Sequence, residues 1–261
     1  MKMVIRGLQA LYSLYAGLLF IVLMFIVLPF AVVASFFGTI RSVSFVYRLC
    51  ILWSDAWLLL IGIIPRHIYI TPHNKDHACI FVANHTSYMD IPMLVNSIRQ
   101  PIRILGKVET SSIPLFGFLY RQATVMVDRS SMENRAKSVM RLKAILKKRI
   151  SIVIFPEGTF NMTASPLKEF YNGAFRIAIE TQTAIKPVIF PDTLGRMHYA
   201  SFFLMTPGIS RAVFLEEISV RGLTLQDVHH LKDKVYNMMD VELRKWRKYE
   251  EISEFSSGLE D

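Results

Sequence analysis

Only two cysteines occur in the chain, Cys50 and Cys79, each inside an apolar run. A disulfide framework is thereby excluded, and the Cys/His spacing of a zinc site is missing, so no metal is expected. Both thiols read as small buried hydrophobes. No serine stands in a nucleophile-elbow pattern, which removes the usual serine-hydrolase reading. There is no internal repeat and no low-complexity linker. The basic side chains are scattered and lack aromatics interleaved on one strand face, so no nucleic-acid partner is expected.

Charge is missing from one long stretch. Between Gly7 and Ile40 there is no Asp, Glu, Lys or Arg, and Leu18 to Val33 is almost entirely aliphatic or Phe. At about 1.5 Å per helical residue this run crosses a hydrocarbon core of about 30 Å. A secretory signal peptide competes, because Lys2 and Arg6 precede the run, but the run is longer than a signal core and favours a retained transmembrane helix at residues 12–36. A second apolar stretch, 45–64, carries Asp55. Its most apolar part, from Cys50, reaches only about 22 Å as a helix and suits either a core helix or one half-sunk in a leaflet. Residues 1–64 thus form the expected anchor. Charge on the flanks does not fix topology, since Lys2 and Arg6 face Arg41 and Arg48. The remainder is basic enough to give the whole chain a net charge of +9 despite 52% hydrophobic residues, which points to anionic partners such as lipid headgroups, acidic carriers or phosphorylated substrates.

After Pro65 short apolar runs alternate with charged helical ones. Strands are expected at 67–70, 78–83, 102–105, 124–127, 151–155, 187–190 and 211–220, with helices at 87–97, 108–120, 131–149 and 174–183. A last helix opens at the capping-box spacing Thr224 to Asp227 and ends in Arg244, Lys245, Arg247 and Lys248. This alternation predicts an α/β fold, a mostly parallel sheet flanked by helices, over residues 65–249. Residues 250–261 read as an acidic, disordered tail.

Chemistry gathers where two of these strands end. Ile80 to Ala83 is followed by Asn84-His85-Thr86-Ser87-Tyr88-Met89-Asp90, and Ile152 to Phe155 by Pro156-Glu157-Gly158-Thr159. His85 and Asp90 lie about 500° apart on an ideal helix, so they meet only if His85 precedes a helix and Asp90 opens it. The carboxylate then fixes the imidazole tautomer and leaves the other nitrogen to take a proton from a hydroxyl. The alternative is a helix-entry hydrogen bond without chemistry. Ser87 reads as the helix cap.

These motifs, with Lys107, Pro114, Gly117 and Arg129 between them and Lys186-Pro187-Val188 after them, resemble the glycerolipid acyltransferase family, the lysophosphatidic acid acyltransferases and their PlsC-like relatives. The resemblance covers residues 65–215. It implies transfer of a fatty acyl group from acyl-coenzyme A or acyl carrier protein, as co-substrate, to a hydroxyl of a lysophospholipid. No cofactor is implied. His85 would be the general base and Asp90 its orienting partner. Lys107 and Arg129 would hold the acceptor phosphate. Glu157 would accept from a glycerol hydroxyl or anchor basic neighbours, Gly158 would let the backbone approach the ligand, and Thr159 completes that substrate-binding turn. It also implies seating in a cell membrane, the inner one in a bacterium, with the catalytic part facing the cytoplasm. Family members often carry a basic residue directly after the Pro-Glu-Gly-Thr turn; here Phe160 stands there, which leaves Lys168 or Arg176 to supply the cation, or an acceptor with less negative charge than lysophosphatidic acid. Two readings compete with transfer, a lipid-binding protein without chemistry and a lipid hydrolase that activates water.

Overall fold

The computed structural model describes residues 2–37, 40–112, 116–127 and 132–246. Pro114, Arg129, Arg247, Lys248 and the 250–261 tail lie outside them. The chain begins with two long helices, α1 (Lys2–Ser35) and α2 (Ile40–Leu60), and continues as β1 (Ile63–Tyr69), β2 (Ile80–Ala83), α3 (Asp90–Ser97) and β3 (Ile102–Lys107). A 3-10 turn at Val108–Ser112 precedes α4 (Phe116–Ala123), β4 (Thr124–Val127), α5 (Met132–Lys147), β5 (Ser151–Ile154) and α6 (Gly173–Thr181). Then come β6 (Ile185–Ile189), the short α7 (Thr193–Arg196), β7 (Gly208–Phe214) and α8 (Val228–Trp246).

The strands form one seven-stranded sheet in the order β1-β7-β6-β2-β5-β3-β4. Every neighbouring pair is parallel except β6 and β7, so the expected mostly parallel sheet is found, with β1 and β7 running against the other five strands. Pro65 lies inside β1 rather than before it. An edge strand tolerates a residue with no N–H to donate. The expected final strand stops at Phe214, and only an isolated bridge between Ile185 and Ile218 continues it. The expected helix from Val108 divides into a 3-10 turn and α4, where a Cβ on Gly117 would collide with the carbonyl oxygen of Ser111. The capping box at Thr224 and Asp227 is present and opens the turn into α8.

Side chains alternate across the strands, and each face buries its own core. Ile80, Val82, Ile152 and Ile154 pack under α5, α6 and α8, while Phe81, Ala83 and Val153 pack under α2 and α3. The two N-terminal helices form an antiparallel hairpin: Tyr12 Oη donates to the Ile61 carbonyl at 2.6 Å, and Trp57 Nε1 to the Ala16 carbonyl at 2.8 Å. One face of α2 belongs to the core. Its Tyr47 and Ser54 donate to the carbonyls of Ile98 and Pro92, and its Asp55 accepts from Asn96 and pairs with Arg99 at 2.7 Å. Asp55 is thereby neutralised by α3 and its C-terminal flank rather than placed in lipid. The other face exposes Leu52 and Leu59. α1 is long and apolar enough to cross a membrane. Both of its halves nevertheless touch the globular part, Ser13 accepting from Met205 N and Ala31 with Ala34 packing near Phe118.

Lys186 is fully buried in β6, and its Nζ donates to Thr71 Oγ1 at 3.2 Å. Burial pushes its pKa below 10.5, with Glu217 opposing the shift. Between the folded value and 10.5 the unfolded chain binds more protons, so stability rises with pH across that interval. Lys186→Met is expected to raise the unfolding free energy at pH 7 by about 1 kcal/mol in urea denaturation, and to flatten that rise; an unchanged or lower value would contradict it.

Candidate active site

Because β2 and β5 are parallel neighbours, with Val82 opposite Ile154, the residues that follow them emerge at the same sheet edge. In open α/β sheets this carboxyl edge is where sites are built. β6 flanks β2 on its other side. Asn84 staples the two strand ends by accepting from Phe190 N at 2.7 Å and donating to the Phe190 carbonyl at 3.3 Å.

His85 precedes α3 and Asp90 opens it, as their spacing requires for contact. Nδ1 of His85 lies 2.9 Å from Oδ2 of Asp90. The same oxygen accepts the amides of Thr86 at 2.8 Å and Ser87 at 2.9 Å, so the carboxylate is fixed by backbone before it meets the ring. Asp90 is fully buried, and its Oδ1 has no hydrogen-bond partner among the described residues. A carboxylate accepts only, which assigns the proton to Nδ1 and leaves Nε2 with its lone pair. The imidazole stacks on Phe155 at 4.1 Å and meets the edge of Phe160 at 4.4 Å. Its side chain is 19% exposed.

The peptide of His85 is gripped from both sides by the loop that follows β5. Its N–H donates to Glu157 Oε1 at 2.7 Å, and its carbonyl accepts from Asn161 N at 2.7 Å. The second oxygen of Glu157 accepts from Lys168 N at 2.9 Å. Glu157 is fully buried with an oxygen on each of two backbone amides, so it braces the site and, of the two sequence readings, is nearer to anchoring a basic neighbour, Lys168, than to accepting from a glycerol hydroxyl. Gly158 has φ of 74°, the left-handed region that glycine enters without strain. Its N–H closes the turn on the Phe155 carbonyl at 3.1 Å.

Ser87 is not the cap of α3. That position is Met89, without a side-chain cap bond; Ser87 Oγ accepts from Met89 N at 3.0 Å and donates to the Met197 carbonyl at 2.5 Å. Of the two cations proposed to replace the residue at Phe160, Lys168 is the one at the site, its Nζ donating to Thr159 Oγ1 at 3.0 Å. Arg176 pairs instead with Glu180 on α6. Lys107 closes β3, next to β5 in the sheet; its side chain, like the whole of Arg129, lies outside the described set. Lys186 is not at this edge. Asn84, Asn161 and the two phenylalanines were missed as site residues, although adjacency to His85 or to the Glu157 turn marks all of them in the sequence.

A helix-flanked sheet thus presents a histidine–carboxylate pair at its carboxyl edge. Residues 66–191 match the family model described as Acyltransferase. The chain is 35% identical over 124 residues to the 1-acyl-sn-glycerol-3-phosphate acyltransferase of Salmonella typhimurium, covering 46% of this chain and 49% of that one. It is 31% identical over 134 residues to the lyso-ornithine lipid O-acyltransferase of Pseudomonas aeruginosa, covering 51% and 50%. The chain spans about half the length of these curated relatives. The crystal structure of the 1-acyl-sn-glycerophosphate acyltransferase PlsC from Thermotoga maritima superposes with a TM-score of 0.71 at 20% identity over 94% of this chain and 97% of that one, which establishes the shared fold.

Replacing Glu157 by Gln turns one acceptor into an NH2 group facing a backbone N–H. Glu157→Gln is therefore expected to lower stability by about 1–3 kcal/mol in urea denaturation, and an unchanged midpoint would remove the brace from this description.

Proposed function

We propose that this chain transfers a fatty acyl group from a thioester to a hydroxyl of a lysolipid. The observation that carries the reading is the bond from His85 Nδ1 to a buried carboxylate oxygen already held by two amides. That geometry presents Nε2 as a base and stabilises the imidazolium formed when it is used. The acceptor hydroxyl gives its proton to Nε2 as its oxygen attacks the thioester carbonyl. The tetrahedral species then collapses, the carbon–sulfur bond breaks, and the thiolate leaves as a thiol with the proton returned from the imidazolium. No covalent enzyme intermediate is required, in keeping with a sequence that has no cysteine beside the histidine and no serine in a nucleophile-elbow pattern.

Coenzyme A or acyl carrier protein is the donor in this reading, and the acceptor is lysophosphatidic acid or a related anionic lysolipid. In this reading Lys168, whose Nζ donates to Thr159 Oγ1, supplies a cation for the headgroup, with Lys107 and Arg129 as further phosphate contacts. The hairpin of α1 and α2 seats the site at a membrane. Because the chain returns to the side it came from and the globular part touches both halves of α1, the anchor lies against one leaflet, and the site faces the cytoplasm, where the thioester is. Names of two relatives, one acting on 1-acyl-sn-glycerol-3-phosphate and one on lyso-ornithine lipid, support a lysolipid acceptor and leave its headgroup to experiment.

The test is labelled acyl transfer by membranes containing the protein, with a panel of lysolipid acceptors and both donors. His85→Ala is expected to abolish the diacyl product while the protein stays folded and membrane-bound. Asp90→Asn is expected to lower kcat at least about 100-fold. Release of free fatty acid without lipid product would indicate the hydrolase, and binding without turnover the lipid-binding protein. Lys168→Met is expected to raise KM for lysophosphatidic acid by roughly tenfold or more, with less effect on an acceptor lacking an anionic headgroup; an equal effect on both would remove Lys168 from headgroup recognition.

A further inference from the structure

From Met197 to Ser210 the chain has no Asp, Glu, Lys or Arg, although charged residues make up 20% of the whole. This second uncharged stretch is not a helix. It is the loop between α7 and β7, closed at its base by a bridge between Met197 and Met205 and by Thr206 N donating to the Arg196 carbonyl at 2.9 Å. Two phenylalanines at its tip are turned outward, Phe202 at 55% exposure and Phe203 at 54%. Adjacent bulky apolar side chains held in water on a braced loop mark a contact surface.

Three connections show what that surface meets. On the outside, Met205 N donates to Ser13 Oγ at 3.1 Å, which sets the loop beside the first half of α1, where Leu11 and Leu14 are exposed. The loop therefore extends the apolar surface of the anchor. At its base, the Met197 carbonyl accepts from Ser87 Oγ at 2.5 Å, tying the loop to the turn between His85 and Asp90. On the inside, Phe202 lies 4.5 Å from Tyr88, Tyr88 meets Phe160 edge-on at 4.7 Å, and Phe160 meets His85 at 4.4 Å. An unbroken run of aromatic rings thus leads from the exposed loop to the imidazole.

We propose that the 198–204 loop dips into the apolar part of a bilayer leaflet beside α1, and that Phe202, Tyr88 and Phe160 form the wall along which the acceptor's acyl chain lies on its way to His85. The occupant is lipid hydrocarbon, because the loop is uncharged, continuous with the apolar flank of α1, and built of the aromatic residues that settle at membrane interfaces. The wall, unlike the insertion, rests on the acyl-transfer reading. An acceptor whose chain stays against these rings presents its hydroxyl to Nε2 without leaving the membrane fully.

The insertion is tested without catalysis. A nitroxide is attached to Phe203→Cys in the full chain, with Leu14→Cys on α1 and Met140→Cys on α5 as references; the native Cys79 is buried and Cys50 only partly exposed. In vesicles of phosphatidylethanolamine and phosphatidylglycerol, the label at position 203 is expected to be relaxed by oxygen more than by a water-soluble nickel chelate, like the label at 14 and unlike that at 140. A label at 203 that behaves like the one at 140 would overturn the insertion, as would dipolar broadening at 203 that identifies a second copy as the occupant. For the wall, the Phe202→Ser/Phe203→Ser double variant is expected to lose about tenfold more turnover on a long-chain lysolipid in vesicles than on a short-chain one dissolved in water. Equal losses would overturn it. A chain that inserts but transfers nothing counts against the acyl-transfer reading, whereas one that transfers with position 203 in water counts against the loop.

Discussion

The carboxylate of Glu157 joins two segments that would otherwise meet only at the sheet edge. One oxygen holds the amide of His85, which follows β2, and the other holds the amide of Lys168, further along the loop after β5. A buried carboxylate is costly unless its oxygens are satisfied, so the fold can bury Glu157 only while both amides are in place. The backbone of His85 and that of Lys168 are therefore held in register by one charged group. Asp90 works in the same way one step later, held by the amides of Thr86 and Ser87 before it receives the ring. Orientation of His85 is thus set by backbone hydrogen bonds on every side, a rigid arrangement suited to a reaction whose chemistry is proton removal in a defined direction.

The membrane-facing parts connect to this brace through α3. Ser54 and Asp55 of α2 bind the helix that Asp90 opens, and the loop carrying Phe202 is tied to Ser87 just before it. The α1–α2 hairpin, the 198–204 loop and the His85–Asp90 turn therefore converge on a segment of a few residues. In this account the anchor does more than raise local concentration: its inner face is part of the core that holds the carboxylate in place.

Much of this was legible in the sequence. Seven apolar runs became the seven strands, because runs of that length bounded by polar turns have few other ways to bury themselves. Helical geometry stated the condition for contact between His85 and Asp90, one before the helix and the other opening it, and the structure meets that condition. What stayed hidden depended on partners distant in sequence. For Glu157 the sequence left two readings, a partner for a glycerol hydroxyl or an anchor for basic neighbours, and nothing local announces that two backbone amides close over it. The antiparallel join of β6 and β7 is invisible in hydropathy, since a buried strand reads alike in either direction. Lys186 looked like part of a site motif, yet the alternation of β6 carries its side chain into the sheet packing and away toward Thr71.

The central claim is that Asp90 holds His85 with the proton on Nδ1 and the lone pair on Nε2. Nitrogen-15 NMR of the protein labelled at histidine, with His85 assigned by difference against a variant lacking it, reads that tautomer directly. The account predicts that neutral His85 is protonated at Nδ1 and that Asp90→Asn weakens this preference. A neutral ring protonated at Nε2, or a tautomer indifferent to Asp90, would contradict it.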